Sequence, residues 1–129
     1  MFEKIEMLRM ARAMGLHTQS RHIEVARNIA NADTPGYRAR DMQPFSEAYR
    51  KADGTGPLRV SNARHLDSPA WSPGGARVIE TAGPVSPNGN SVSLEDQMVR
   101  AAEVKSHHDR SLAIYRSGLD LVRSSLGRR

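Results

Sequence analysis

The feature that most constrains the fold is a repeat near the C-terminal end that alternates steps of four and three residues. It comprises positions 94, 98, 101, 105, 108, 112, 115, 119, 122 and 126, which read Leu, Met, Ala, Lys, His, Leu, Tyr, Leu, Val and Leu. A 3.5-residue repeat sustained over more than four heptads is typical of a helix that packs against another helix. The sequence therefore predicts one long helix over 93–126, with Ser93 as N-cap and Asp96 close to a capping box.

Residues 3–31 carry a second helical pattern. Apolar residues recur every three positions from Ile5 to Met14, and after Gly15 the pattern resumes at Leu16, Ile23, Ala26 and Ala30. The stripe is narrow and rich in small residues, as expected of a helix that packs against one partner helix. Because glycine costs about 1 kcal/mol relative to alanine inside a helix, a hinge or break near Gly15 is one expectation.

The middle of the chain has the composition of loops. Six of the seven prolines lie between residues 41 and 90, together with most of the glycines. Residues 57–60 (PLRV) and 76–82 (ARVIETA) are β-branched enough to form short strands, at most one hairpin. Trp71 lies between two prolines, and either an anchoring or an exposed role fits it.

These patterns predict a mainly α fold in which two long terminal helices pair as an antiparallel coiled coil. The chain divides into 1–40, the N-terminal helix and its turn, 41–92, a loop-rich segment, and 93–129, the C-terminal helix, which together form one structural unit. Two helices cannot cover both apolar stripes, so apolar surface remains exposed, which indicates assembly with copies of the chain or its relatives. The predicted assembly seam comprises Ile5, Leu8, Leu16, Ile23, Ala26, Ala30, Leu94, Met98, Leu112, Tyr115, Leu119, Val122 and Leu126. Its C-terminal members face either its N-terminal members or a neighbouring subunit.

The first helix is followed by an elaborate stop signal, NIANADTPGY, over residues 28–37. Pro35 and Gly36 fit the central positions of a type II turn. Proline disfavours the α conformation at Thr34, so the helix ends at or before Asp33. Asn31 and Asp33 can hydrogen-bond the free backbone groups at that end. Within the chain, this motif simply ends the helix. In an assembly, it would also set the angle between the first helix and the residues that follow it. The motif residues are Asn28, Asn31, Thr34, Pro35, Gly36 and Tyr37.

Charge and composition disfavour other functional classes. The net charge is +5 with a pI near 10.2, but both signs are spread along the chain without a basic block. A basic helical module that binds nucleic acid or another protein is therefore a weaker alternative. There is no cysteine. No apolar run fits a cleaved signal or a membrane span.

Histidine spacing gives no support for a metal site. His107 and His108 are adjacent and point about 100° apart on a helix, whereas His17 and His22 are five residues apart. No nucleophile elbow, phosphate loop or paired-carboxylate motif is present. We therefore expect no catalytic residue, no metal and no cofactor.

Residues 28–45 (NIANADTPGYRARDMQPF) resemble the N-terminal signature of the flagellar rod and hook protein family, and the form of residues 35–41 is most similar to its proximal rod members. Residues 62–66 (NARHL) and 88–98 (NGNSVSLEDQM) resemble two further family segments, with Asn88 where Asp is usual and Ser91 where Thr is usual.

The resemblance implies a structural subunit of the proximal rod, the drive shaft of the bacterial flagellar basal body, or else another axial rod protein of this family. It further implies periplasmic location, type III export without a cleaved signal peptide, and helices that line a central channel. The implied partners are copies of the chain, other rod proteins, and the basal adaptor protein, membrane ring and export gate at the rod base. We expect the ends of an isolated subunit to be poorly ordered until assembly covers their stripes.

Overall fold

The computed structural model describes residues 2–54 and 76–127, with side chains described for 6–50 and 76–127. The described chain is mainly helical and runs α1 (Phe2–Ala30), β1 (Arg40–Met42), α2 (Phe45–Gly54), β2 (Val78–Glu80) and α3 (Leu94–Ser125). Both predicted terminal helices are confirmed, and so is the N-cap, because the Ser93 side chain accepts from the Asp96 amide. The predicted strand at 57–60, the segment 62–66 and Trp71 lie outside the described residues.

Helix α1 runs through Gly15 without the break that its composition allows. A Cβ at Gly15 would lie 3.4 Å from Oγ of Ser111, so this glycine is where α1 approaches α3 closely. Contact with α3 therefore offsets the low helix propensity of glycine.

The two long helices pack side by side in antiparallel orientation, with Leu8 near Gly118, Gly15 near Ser111, and Asn28 bonded to Gln97. The buried residues of α3 recur every seven positions, and so do three buried residues of α1. We call this set the intramolecular seam: Ala11, Thr18, Val25, Gln97, Val104, Ser111 and Gly118. Its members are mostly small or polar, which lets the two backbones approach each other.

The middle segment contains more structure than its composition predicts. Strand β2 lies within the predicted strand 76–82 but pairs antiparallel with β1, which the pattern does not predict, in the register Asp41 to Ile79. Helix α2 is also unpredicted, and it buries Ala48 in a small cluster with Met42 and Ala76. The described short elements pack against α1, with α2 beside His17 and β1 beside Asn28.

Candidate assembly surface and its anchoring junction

Asn28 is the centre of a polar junction where α1 ends, and its side chain is fully buried. Its amide nitrogen donates to the Arg40 carbonyl at 2.6 Å and to Oε1 of Gln97 at 3.0 Å. Its amide oxygen accepts from the Arg40 backbone N–H at 3.0 Å and the Tyr37 hydroxyl at 3.3 Å. An amide side chain has two donor hydrogens and two acceptor lone pairs, so Asn28 uses its full capacity to join α1, β1 and α3.

Asn90 supplies the second buried amide of the junction. Its nitrogen donates to the backbone carbonyls of Asn31, Ala32 and Thr34 at 3.0, 2.7 and 2.9 Å. Its oxygen accepts from the Val92 N–H at 2.7 Å. Carbonyls at and beyond a helix C-terminus lack intrahelical partners, so a residue nearly sixty positions away stabilises the end of α1.

The turn after α1 has the predicted geometry. The Tyr37 N–H donates to the Thr34 carbonyl at 3.3 Å, and Gly36 has a φ of +73°. The Asn31 side chain donates to the Arg27 carbonyl at 2.8 Å, as predicted for that residue. A second turn packs against the first, since the Gly36 N–H donates to the Asn88 carbonyl at 3.0 Å. The chain therefore leaves α1 in one fixed direction.

A charged clamp lies beside the amide junction. Arg21 on α1 donates to both carboxylate oxygens of Asp41 on β1, each at 2.8 Å, and Arg100 on α3 donates to the same carboxylate at 3.2 Å. Burial favours a raised pKa for Asp41, but the hydrogen bonds from Arg21 and the Met42 N–H, with the nearby arginine charges, outweigh burial and lower the pKa. Asp41 is therefore a buried carboxylate that joins three elements.

His17 anchors the start of α2 on the same side of α1. Its ring Nε2–H donates to the Gln43 carbonyl at 2.8 Å, and its ring packs edge-on against Phe45 with centroids 5.5 Å apart. Burial lowers the pKa of His17, and the positive charges of Arg21 and His107 lower it further. The hydrogen bond to Gln43 and the charge of Asp41 raise the pKa, but by less. His17 is therefore a neutral packing residue at neutral pH.

The predicted assembly seam lies largely outside the contact between the two helices. On α3, Met98 is 64% exposed and Leu112 39%; Leu94, Tyr115 and Leu126 are also exposed, whereas Leu119 and Val122 are half-buried. On α1, Ile23 is 52% exposed, Ala26 and Ala30 are exposed, and Leu8 and Leu16 are half-buried. The side chain of Ile5 lies outside the described ones. Of these residues, Leu8 reaches the intramolecular seam, beside Gly118.

Helical periodicity places both exposed stripes on one side of the pair. Met98 and Leu112 each follow a residue of the intramolecular seam by one position, as Ala26 does on α1, and one position is a rotation of about 100°. Because the helices are antiparallel, the same rotation turns both stripes toward the same side. His17 precedes Thr18 by one position, and Arg21 and Asn28 each follow a residue of the intramolecular seam by three positions. All three therefore turn toward the opposite side, where α2, the charged clamp and the junction lie. We call the exposed set the open apolar face: Ile23, Ala26, Ala30, Leu94, Met98, Leu112 and Tyr115.

The residues that hold the two helices together were not predictable from the sequence. The predicted stripe on α3 is the most apolar one, whereas the contact with α1 uses the neighbouring positions Gln97, Val104, Ser111 and Gly118. Their seven-residue spacing is a signal in the sequence, but polar and small residues at that spacing are also typical of a solvent-facing stripe. Arg21 and Arg100, which are far apart in the sequence, carried no such signal.

No group of three or more His, Cys, Asp or Glu side chains in residues 6–50 and 76–127 is placed to hold a metal ion. No helix in the described part of the chain combines the length and apolar character needed to cross a bilayer.

Comparison with known proteins identifies the family. The chain is 35% identical over 109 residues to the flagellar basal body rod protein FlgB of Cereibacter sphaeroides, an alignment that spans 78% of this chain and 83% of the relative. It is 30% identical to the FlgB of Aeromonas hydrophila over 89% of this chain and 87% of the relative, and 31% identical to that of Escherichia coli over 78% of each. No family model matches the chain. At this identity and coverage, the chain belongs to the FlgB family of flagellar basal body rod proteins.

Proposed function

We propose that this chain is a non-catalytic structural subunit of the proximal rod of the bacterial flagellum, and that it polymerises through its open apolar face. The observation that carries the proposal is the exposed heptad stripe of α3, with Met98 64% and Leu112 39% exposed. Exposed apolar residues at this spacing mark an interaction site, although Lys105 and His108 interrupt the stripe between Met98 and Leu112. The family relatives, which are named as rod proteins of the basal body, support the same conclusion.

The energetics of burial favour helix packing as the mode of assembly. Complete burial of a leucine or methionine side chain contributes roughly 1.5–3 kcal/mol. Several such residues lie on the open apolar face, and its 3.5-residue repeat suits knobs-into-holes packing against a neighbouring helix. The terminal helices therefore act as coiled-coil elements between subunits, with the exposed members of the predicted assembly seam as the contact.

The remaining parts of the proposal rest on the family signature of residues 28–45. The chain enters the periplasmic rod by type III export without a cleaved signal peptide. There it contacts copies of itself, other rod proteins, and the adaptor, membrane ring and export gate at the rod base. The divisions of the chain after residues 40 and 92 then separate the two terminal segments, whose helices assemble, from the middle segment, which sets the direction of those helices.

Substitution of adjacent residues tests the proposal. Leu112→Asp places a charge on the open apolar face, whereas Ala113→Asp places the same charge at an exposed position outside it. In a flagellated strain that lacks its own copy of the gene, we expect Leu112→Asp to abolish motility and incorporation into basal bodies, and Ala113→Asp to retain both. Both purified variants should unfold at the wild-type temperature, since both positions are exposed.

The proposal fails if Leu112→Asp enters basal bodies as the wild type does. It also fails if both variants lose incorporation equally while remaining folded, because the effect would then not depend on the apolar stripe. Loss of folding by Leu112→Asp would show that this residue packs within the subunit and would contradict an intersubunit role.

A further inference from the structure

The turn at 86–90 contains an Asn-Gly pair that has no part in the open apolar face. The Gly89 N–H donates to the Ser86 carbonyl at 2.8 Å, the Ser86 N–H donates to the Asn90 carbonyl at 2.8 Å, and the Asn90 N–H donates to Oδ1 of Asn88 at 3.0 Å. Asn88 itself is exposed. The turn therefore presents Asn88 to water while its side chain and the following N–H are both hydrogen-bonded.

We infer that Asn88 is a latent deamidation site that the folded turn keeps closed. In the reaction, the Gly89 nitrogen loses its proton and bonds to Cγ of Asn88, and the side-chain amide leaves as ammonia. Water then opens the resulting succinimide to aspartate or to isoaspartate. Glycine favours the first step because it has no Cβ to hinder the approach of its nitrogen.

The folded structure opposes this reaction at both reacting groups. The Gly89 N–H is donated to Ser86, and the Asn88 side-chain oxygen is held by Asn90. The turn is also fixed against its neighbour, because a Cβ at Gly89 would lie 3.3 Å from Cα of Gly36. Attack therefore requires local opening of the turn.

The two products have different consequences for the junction. Aspartate at position 88 keeps an oxygen that accepts from the Asn90 N–H. Isoaspartate inserts an extra carbon into the main chain between residues 88 and 89. That insertion displaces Asn90, whose amide binds the three carbonyls at the end of α1. Isoaspartate, and not aspartate, therefore loosens the end of α1.

Incubation of the full chain at mildly alkaline pH, folded or in urea, tests the inference. Peptide mapping by mass spectrometry measures conversion at Asn88, with Asn31 and Asn90, which precede Ala and Ser, as controls within the chain. In urea we expect Asn88 to convert fastest. In the folded chain we expect conversion to be slower by at least about tenfold, the factor that a local opening free energy of about 1.4 kcal/mol imposes.

Equal rates in the folded and unfolded chain would overturn the protective role of the turn. Absence of conversion in urea would overturn the site itself. Asn88→Asp has no side-chain amide to lose, so it should show no deamidation mass increase at residue 88, and it should unfold at the wild-type temperature. Chains enriched in isoaspartate should lose hydrogen-exchange protection at 28–32, and unchanged protection there would overturn the link to the end of α1.

Discussion

At the scale of single residues, Asn28 determines how the ends of three elements meet. Asn28→Ala leaves Gln97 and both backbone groups of Arg40 without their partner in a buried site. A buried polar group that loses its partner costs about 1–3 kcal/mol. We therefore expect a loss of roughly 3 kcal/mol or more in the free energy of unfolding by denaturant.

Asn31→Ala is the matched control, because its side-chain bond to Arg27 lies in an exposed position. We expect that variant to lose about 0.5–1 kcal/mol. Equal losses in the two variants would contradict the central role of Asn28.

His17 gives the stability of the chain a predicted dependence on pH. Its pKa is lowered from 6.5 in the folded state, so below that value the unfolded chain binds more protons than the folded chain. Stability then rises with pH, and the contribution of His17 is lost as the pH falls through 6.5 toward the folded pKa. The groups around it are Arg21, Asp41 and His107, with the Phe45 ring.

We expect the unfolding temperature of the wild type to fall as the pH is lowered from about 7 through 6.5, and that of His17→Gln to fall less, since glutamine donates to Gln43 without titrating. The lowered pKa of Asp41 causes a further loss of stability at more acidic pH, and this loss is the same in both proteins. His22→Gln, at an exposed position, should follow the wild type. Parallel pH profiles for the wild type and His17→Gln would exclude His17 as the cause.

Residues whose chemistry acts locally were predictable from the sequence, and residues with distant partners were not. Ser93 bonds three positions away, and Pro35 and Gly36 form a turn within four residues, so local rules suffice for both. Asn90, in contrast, binds carbonyls 56 to 59 positions away. No local pattern distinguishes it from an asparagine in a solvent-exposed loop.

At the scale of secondary-structure elements, long periodic helices were predictable and short elements were not. The pattern predicted α1 and α3 because apolar residues recur over many turns. Strand β1 has three residues and α2 has ten, and neither provides enough repeats for a pattern. Periodicity located the stripe of α3 with the most apolar surface, but the helices pack within the chain through the adjacent stripe of small and polar residues.

Gly118 tests how closely the two helices pack. A Cβ at this position would lie 2.7 Å from Cδ2 of Leu8, so Gly118→Ala forces the Leu8 side chain to move. Overpacking costs about 1–3 kcal/mol, and the better helix propensity of alanine returns about 1 kcal/mol. We expect a net loss in the free energy of unfolding.

A double-mutant cycle isolates this contact. In a Leu8→Ala background, Gly118→Ala should become neutral or stabilising, with a coupling energy of about 1–2 kcal/mol. Ser117→Ala, on the exposed side of the same turn, should change stability by less than about 0.5 kcal/mol in either background. Additive effects of the Leu8 and Gly118 substitutions would contradict the close approach.

At the scale of the whole molecule, the two sides of the helix pair have different roles. One side contains the amide junction, the charged clamp and α2, which fix the chain internally. The other side is the open apolar face. Toward the distal end of the pair, the buried residues of the intramolecular seam are the small residues Ala11, Ser111 and Gly118, which bury little apolar surface. We therefore expect the junction end to be stable in the free subunit and the distal end to depend on neighbours.

Hydrogen exchange on the free and assembled subunit tests this division. In the free subunit we expect strong protection at 17–30 and 94–107, near the junction, and weak protection at 2–14 and 112–125, since local opening costs least where few apolar side chains are buried. In basal bodies the distal segments should gain protection, because packing against neighbours offsets the conformational entropy lost on ordering. Leu112→Asp should match the wild type when free. Uniformly strong protection along both helices of the free chain would contradict a subunit that assembly completes.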